Sequence, residues 1–125
     1  MDLTGHFPYK SSGGNEYILV LYHMDSNAIL GTPIKNRQAS TITQALIKLE
    51  TTLSNCNTST NIWILDNETS FELLNATHKK QITYQMFLPH NHRVNLAVRA
   101  IQTFKIHFKV VFLTLHPGFP IAEWD

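Results

Sequence analysis

The sequence predicts an α/β domain in which a five-stranded mixed sheet is flanked by helices. Two features of the apolar pattern predict it. Three strand-length segments follow one another with only turns between them, which is typical of an antiparallel meander. Two further strand-like segments are each preceded by a helical segment, which is typical of parallel strands joined by helical crossovers. The chain has 125 residues, 43% of them apolar, and this is enough for one domain with a single core.

The three segments of the meander lie at the start of the chain. Residues 2–9 form the first predicted strand, and the turn-forming residues 11–15 follow it. Residues 17–22 are a continuous apolar run, as expected for a strand that is buried on both faces. A turn at 25–27 then leads to the third predicted strand, at residues 28–34.

Helices and strands alternate in the remainder of the chain. Residues 41–53 have apolar side chains at helical spacing, and Thr41 with Gln44 forms a predicted capping box. Residues 62–65 are a short apolar strand that ends at Asp66. A second capping box at Thr69 and Glu72 opens a short helix toward His78, and residues 82–87 form the fifth strand.

The last predicted element is a long helix at residues 95–115. Its predicted core face is an apolar stripe at helical spacing, made of Ala97, Ile101, Phe104, Phe108, Val111 and Leu115. Val98 lies about 100° away from this stripe, on the flank that carries Gln102 and Lys105. A valine on that flank is better explained by the loss of a polar residue than by packing.

The second half of the chain carries only positive charge. Residues 73–122 contain no Asp or Glu, but they contain six Lys or Arg residues and five of the seven histidines. Such a half favours a surface for a polyanion, although a solvated helix surface would have the same composition.

Composition also bears on the compartment. We expect a nuclear or cytoplasmic protein that is neither secreted nor bound to a membrane. The N-terminus has no secretory signal pattern, and no apolar run approaches the roughly 20 residues of a membrane span. The single cysteine, Cys56, excludes an intrachain disulfide.

Six short segments, in chain order, resemble the integrase catalytic core of retrotransposon polyproteins, which has a ribonuclease H-like fold. They are residues 2–8 (DLTGHFP), 25–30 (DSNAIL), 33–37 (PIKNR), 65–68 (LDNE), 89–93 (PHNHR) and 99–108 (RAIQTFKIHF). The resemblance implies that Asp2 and Asp66 match the first two catalytic acids of the family and bind Mg²⁺ or Mn²⁺. The third acid, a glutamate, aligns with Val98.

The predicted strand order is consistent with a site formed by Asp2 and Asp66. The first and fourth predicted strands are neighbours in such a sheet, so Asp2 and Asp66 are expected to face one another. Considered singly, Asp66 is also explained as a turn or capping residue, and Asp2 as part of a frayed terminus.

The family joins element DNA to target DNA by metal-dependent phosphodiester transfer. Because Val98 cannot bind a metal, the resemblance implies that this copy is inactive or very weakly active. It also implies double-stranded DNA and a homo-oligomeric assembly as partners, and a single domain over residues 1–125 that is truncated at both ends. The expected DNA-binding residues are His90, His92, Arg93, Arg99, Gln102, Lys105 and Lys109.

Three alternatives stay open from the sequence. Glu68 or Glu72 could replace the missing third acid. The chain could be a non-catalytic nucleic-acid-binding module on the same fold. His90 and His92 have a spacing at which two imidazoles share a zinc ion, which would indicate an unrelated hydrolase or zinc protein.

Overall fold

A computed structural model describes residues 1–58, 60–65, 75, 78, 83–86 and 96–125. Asn75 and His78 are helical, within the segment predicted as a short helix. The other described elements, in chain order, are β1 (Asp2–Leu3), β2 (Tyr17–His23), β3 (Ala28–Ile34), α1 (Ala39–Asn55), β4 (Ile62–Leu65), β5 (Thr83–Met86) and α2 (Leu96–Leu113).

The antiparallel meander is confirmed. Strand β2 pairs with β1 on one side and with β3 on the other, with Asp2 opposite Val20 and Tyr17 opposite Ile34. β1 is much shorter than the predicted strand at residues 2–9. The Thr4 hydroxyl accepts a hydrogen bond from the Ile18 N–H at 2.9 Å, so a side chain takes a donor that the ladder would use.

The single five-stranded sheet is not observed. In the described part of the chain, β4 and β5 pair in parallel, with Ile62 opposite Thr83, and form a separate two-stranded sheet. β1 and β4 are therefore not hydrogen-bonded neighbours there, contrary to the prediction. A strand of two residues offers few main-chain groups for a second partner. The two sheets are connected by packing, because Trp63 of β4 lies in one core cluster with Leu19 of β2.

Both faces of the three-stranded sheet are covered. Leu19 and Leu21 of β2 pack with α1, whereas Ile18 and Val20 pack with Ile101 of α2 and with Trp124. The alternation follows from the two-residue period of a strand. It confirms that β2 is buried on both faces, and it gives a layered order of α1, sheet and α2.

The first helix was predicted too short and with the wrong cap. Gln38 is the N-cap of α1 and its side chain makes no capping hydrogen bond. The Thr41 hydroxyl donates to the Asn36 side-chain oxygen at 2.8 Å. Asn36 thus competes for the hydroxyl, and no capping box forms between Thr41 and Gln44.

The core face of α2 was predicted partly wrongly. Ile101 is buried and Phe104 and Phe108 are half-buried, as predicted, but Val111 is 60% exposed and Phe112 packs in its place. Leu115 lies beyond the end of the helix. Phe104 sits against Gly31 of β3, where a Cβ atom would lie 2.9 Å from its ring. This contact sets the rotation of the helix on the sheet.

Candidate functional site

The helix that carries Val98 lies against the strand that carries Asp2. α2 contacts both β1 and β2. Only the backbone of Asp2 is described, and it lies opposite Val20, which is 1% exposed and packs with Ile101 of α2. Val98 is half-buried in the first turn of α2. The expected positions of the first acid and of the lost third acid are thus on two contacting elements.

Several predicted site residues lie outside the described part of the chain. They are Asp66, Glu68, Glu72, His90, His92 and Arg93. The pairing of Asp2 with Asp66 and the zinc alternative therefore stay predictions. Among the residues described, no three His, Cys, Asp or Glu side chains are grouped so that they could hold a metal ion.

The donor chemistry of the predicted site suits one divalent ion better than two. Mg²⁺ prefers hard carboxylate oxygens, and Asp2 with Asp66 would offer two such groups. Val98 is a hydrocarbon side chain and offers no donor atom at the position of the third acid. A site for two ions needs carboxylates that bridge and flank both of them. Asp2 and Asp66 supply two carboxylates, and the third is missing.

A polar flank follows Val98 along α2. Gln102, Lys105 and Lys109 are exposed and occur at the spacing of one helix face. Arg99 is exposed on the neighbouring face. No acidic residue occurs between Leu96 and Ala122, so the helix itself supplies no carboxylate for these cations. The flank is a positively charged surface beside β1.

A groove of about 470 Å³ runs between the residues that follow β1, the helix α2 and the C-terminal segment. Its wall is mostly aromatic, and Lys105 and Lys109 line it as well. The aromatic lining residues are His6, Phe7, Tyr9, Phe104, Phe108, Phe112 and Trp124. Sequence reasoning missed this groove. The spacing of Phe104, Phe108 and Phe112 was its only local signal.

Trp124 is held in the groove wall from two sides. Its ring stacks on Phe7 at 4.2 Å between ring centres, with an angle of 9° between the planes. Its indole N–H donates to the Tyr9 carbonyl at 2.8 Å. A buried indole with a satisfied N–H is fixed in orientation, so it forms a rigid side of the groove.

The C-terminal segment is also fastened by polar contacts. Ser11 and Asn15 both donate hydrogen bonds to the Asp125 carboxylate, and the Ser12 N–H donates to the Ala122 carbonyl at 2.8 Å. The bonds from Ser11 and Asn15 lower the pKa of the Asp125 carboxyl group, because they stabilise its charged form.

Glu16 lies beside the groove. Among the described residues, it is the one carboxylate there that forms ion pairs. Lys10 lies 2.7 Å from it and His6, a lining residue, lies 3.4 Å from it. The hydrogen bond from Lys10 lowers the pKa of Glu16. Lys10 offsets the negative charge of Glu16, so within the described part of the chain the lysines that line the groove are Lys105 and Lys109.

Several solved structures are similar to this fold, and two of them match most of this chain. A chain in the cryo-EM structure of the simian T-cell lymphotropic virus intasome in complex with PP2A regulatory subunit B56 gamma has a TM-score of 0.73 and 17% sequence identity. The match covers 98% of this chain and 43% of that chain. The catalytic core domain of BIV integrase has a TM-score of 0.62 and 18% identity. That match covers 80% of this chain and 65% of the other.

The fold is therefore similar to the α/β fold of the integrase type. More particularly, it is the fold of a retroviral integrase catalytic core, which confirms the resemblance seen in the sequence at the level of fold. The chain spans less than two thirds of either matched chain. No protein-family model and no curated protein matches the sequence. Within the described ranges, no helix is long and apolar enough to cross a membrane.

Proposed function

We propose that this chain is an integrase-type catalytic core of retrotransposon origin that binds double-stranded DNA and has lost the chemical step of DNA joining. The observation that carries the proposal is the contact of α2 with β1. It brings the helix with Val98, Gln102, Lys105 and Lys109 against the strand with Asp2. The fold shared with BIV integrase and with a chain of the viral intasome structure supports it.

The DNA-binding part rests on the positive flank of α2. Lys105 and Lys109 would neutralise phosphates of the duplex, and each neutralised phosphate releases condensed counterions. Gln102 would donate to a phosphate or a base edge beside them. Arg99, with His90, His92 and Arg93 of the preceding loop sequence, would extend the same surface.

The loss of chemistry rests on Val98. When bound in an intact site of this class, Mg²⁺ or Mn²⁺ activates the attacking oxygen and stabilises the leaving oxygen of the phosphodiester. Asp2 and Asp66 would bind one ion, and Val98 would leave the second without a ligand. A missing ligand that removes several kcal/mol of transition-state stabilisation lowers the rate by about a thousandfold or more.

Replacing Val98 tests this assignment. Val98→Glu is expected to create a Mn²⁺ or Mg²⁺ site that calorimetry detects and that disappears again on Asp2→Asn. Val98→Gln has the same length without the charge, so it serves as the control and is expected to leave ion binding at the wild-type level. If Val98→Glu binds ions no better than Val98→Gln, the assignment of position 98 is wrong.

The assembly and compartment belong to the same proposal. One neighbour in fold comes from an intasome structure, and by analogy this chain would act as a homo-oligomer on DNA. A DNA-binding domain of this type would work in the nucleus, or in the cytoplasm within a nucleoprotein complex.

The second candidate function is a non-catalytic DNA-binding module, and the exposed lysines beside a non-ligating Val98 favour it. In both functions, Lys105→Ala is expected to weaken binding to a duplex and to reduce the slope of log K against log salt by about 0.9. Lys48→Ala removes an exposed lysine from α1, on the opposite face of the sheet, and is the matched control. The functions separate in the Val98→Glu variant, because only an integrase-type site gains DNA joining activity.

A further inference from the structure

The groove beside α2 combines an aromatic wall with a cationic edge. Phe104, Phe108 and Phe112 form a row at one-turn spacing, with successive ring centres 6.0 Å and 5.9 Å apart. Lys105 and Lys109 form a second row, offset by one residue, and line the same groove. The two lysines lie one turn apart, which is about 6 Å along the helix axis. Apolar rings and positive charges therefore run side by side.

A single-stranded nucleic acid has the complementary arrangement, with a row of flat bases beside a row of phosphates. Base stacking on aromatic side chains and phosphate contacts from lysines are how sequence-tolerant single-strand sites are built. The groove volume of about 470 Å³ lies within the range of roughly 300–1,000 Å³ for pockets that enclose small organic ligands. A planar base fits that size.

The charge of the groove selects this occupant over an apolar peptide. Among the residues that the structure describes, no carboxylate lines the groove, and Glu16 at its edge is paired with Lys10. An apolar segment would fill the aromatic wall but would bring no anion to the two lysines. A strand with phosphates satisfies both rows at once.

We propose that this groove is a binding site for an unpaired segment of DNA, whose bases stack in the aromatic wall while its phosphates contact Lys105 and Lys109. The site deepens the proposed function, on which it rests, since the same lysines would carry duplex DNA. In addition to duplex binding, the groove would hold a strand that has separated from the duplex. This strand would lie beside α2, the helix that carries Val98.

Fluorescence anisotropy with three labelled probes tests the site. The probes are an eight-nucleotide oligothymidine, an abasic oligonucleotide of the same length, and a blunt duplex of eight base pairs. The abasic strand keeps every phosphate and lacks the bases. One stacked base is expected to make oligothymidine bind about tenfold more tightly than the abasic strand.

Two variants locate the binding. At Gly5, a groove residue, an added Cβ atom would meet no heavy atom within 4 Å, so the side chain of Gly5→Leu begins in open space and adds bulk at the groove. Phe112→Ala removes one ring of the row. Both are expected to abolish the preference for oligothymidine and to leave duplex binding unchanged. Val111→Ala is the control, because Val111 is exposed and does not line the groove.

The outcomes separate this site from the function on which it rests. Equal affinity for the oligothymidine and abasic strands, or a preference that survives Gly5→Leu, overturns the groove site while duplex binding through Lys105 stands. If the wild-type chain prefers oligothymidine to the abasic strand but does not bind the duplex, the proposed function is contradicted and the groove site stands. A displacement experiment with an apolar dye gives a further outcome. If the dye occupies the groove and none of the three nucleic-acid probes displaces it, the groove is not a DNA site and a protein partner is favoured.

Discussion

Glu50 shows how a single charged residue is accommodated in the core. It is 6% exposed, on the face of α1 that packs on the sheet, and its carboxylate accepts the indole N–H of Trp63 at 2.8 Å. This bond connects α1 with β4, so it also contributes to holding the smaller sheet in place. A buried indole N–H without an acceptor loses its hydration with no compensation.

Glu50→Ala is expected to lower the free energy of unfolding by about 1–3 kcal/mol, because it leaves the Trp63 N–H without this acceptor. Glu50→Gln keeps a side-chain oxygen and should cost clearly less. Urea titration followed by tryptophan fluorescence measures both. Lys48→Ala, on the exposed side of the same helix, is the reference for a neutral change. Equal stability of the Ala and Gln variants would show that the hydrogen bond contributes little.

The residues of the candidate site were predictable to different degrees. Gln102 and Lys105 follow from helical phase, since both lie on one flank of the apolar stripe that contains Ile101. The groove did not follow, because Phe7 and Trp124 come from opposite ends of the chain and meet only in the folded state. Local sequence contains no information about that encounter.

At the scale of elements, the contact between α2 and β3 depends on a glycine. A Cβ atom at Gly31 would lie 2.9 Å from the Phe104 ring and 3.3 Å from Ile18. The helix can therefore approach the sheet closely at this point, and its approach fixes which flank of α2 is exposed. Together with the burial of Ile101, this contact turns the positive flank of α2 away from the sheet.

Gly31→Ala is expected to destabilise the fold by about 1–3 kcal/mol, because the ring and the strand must move apart to admit the methyl group. Chemical denaturation gives the value. Gly5→Ala is the matched control and should be nearly neutral, since the added atom has no neighbour within 4 Å. Phe104→Leu in the Gly31→Ala background should recover part of the loss, and independent, additive effects would contradict the packing argument.

Element types were predicted better than their connections. The strand at 62–65 and the continuous apolar strand β2 were found where their patterns placed them. The predicted pairing of β1 with β4 is not observed in the described chain, where β1 ends at Leu3 and pairs with β2. Pairing between strands depends on contacts between distant segments, which the apolar pattern does not express.

At the scale of the whole molecule, the C-terminal segment is fastened to the turn before β2. The Asp125 carboxylate accepts hydrogen bonds from Ser11 and Asn15, and Trp124 packs into the groove wall. The charged carboxylate accepts these bonds more strongly than the protonated acid would. The pKa of Asp125 is lowered in the folded chain, so the bonds contribute stability above the ordinary carboxyl pKa and lose it as the pH falls through the folded value.

We therefore expect acid to release this segment. Exchange of the Trp124 indole N–H, followed by NMR, should become faster as the pH falls below the ordinary range for an aspartate. Asp125→Asn should show fast exchange already at neutral pH, without this step in its pH dependence. Asp25→Asn, at an exposed turn, is the control. A wild-type exchange profile in Asp125→Asn would show that the aromatic contacts of Trp124 hold the segment alone.

The bond between Ser11 and Asp125 joins residues that are 114 positions apart. Closing so long a loop has an entropic cost that is recovered only after the intervening chain has folded, so contacts of this kind form late. The groove wall made by Trp124 should accordingly be the last part of the molecule to assemble. A nascent chain would have a complete sheet and two packed helices before it had a groove.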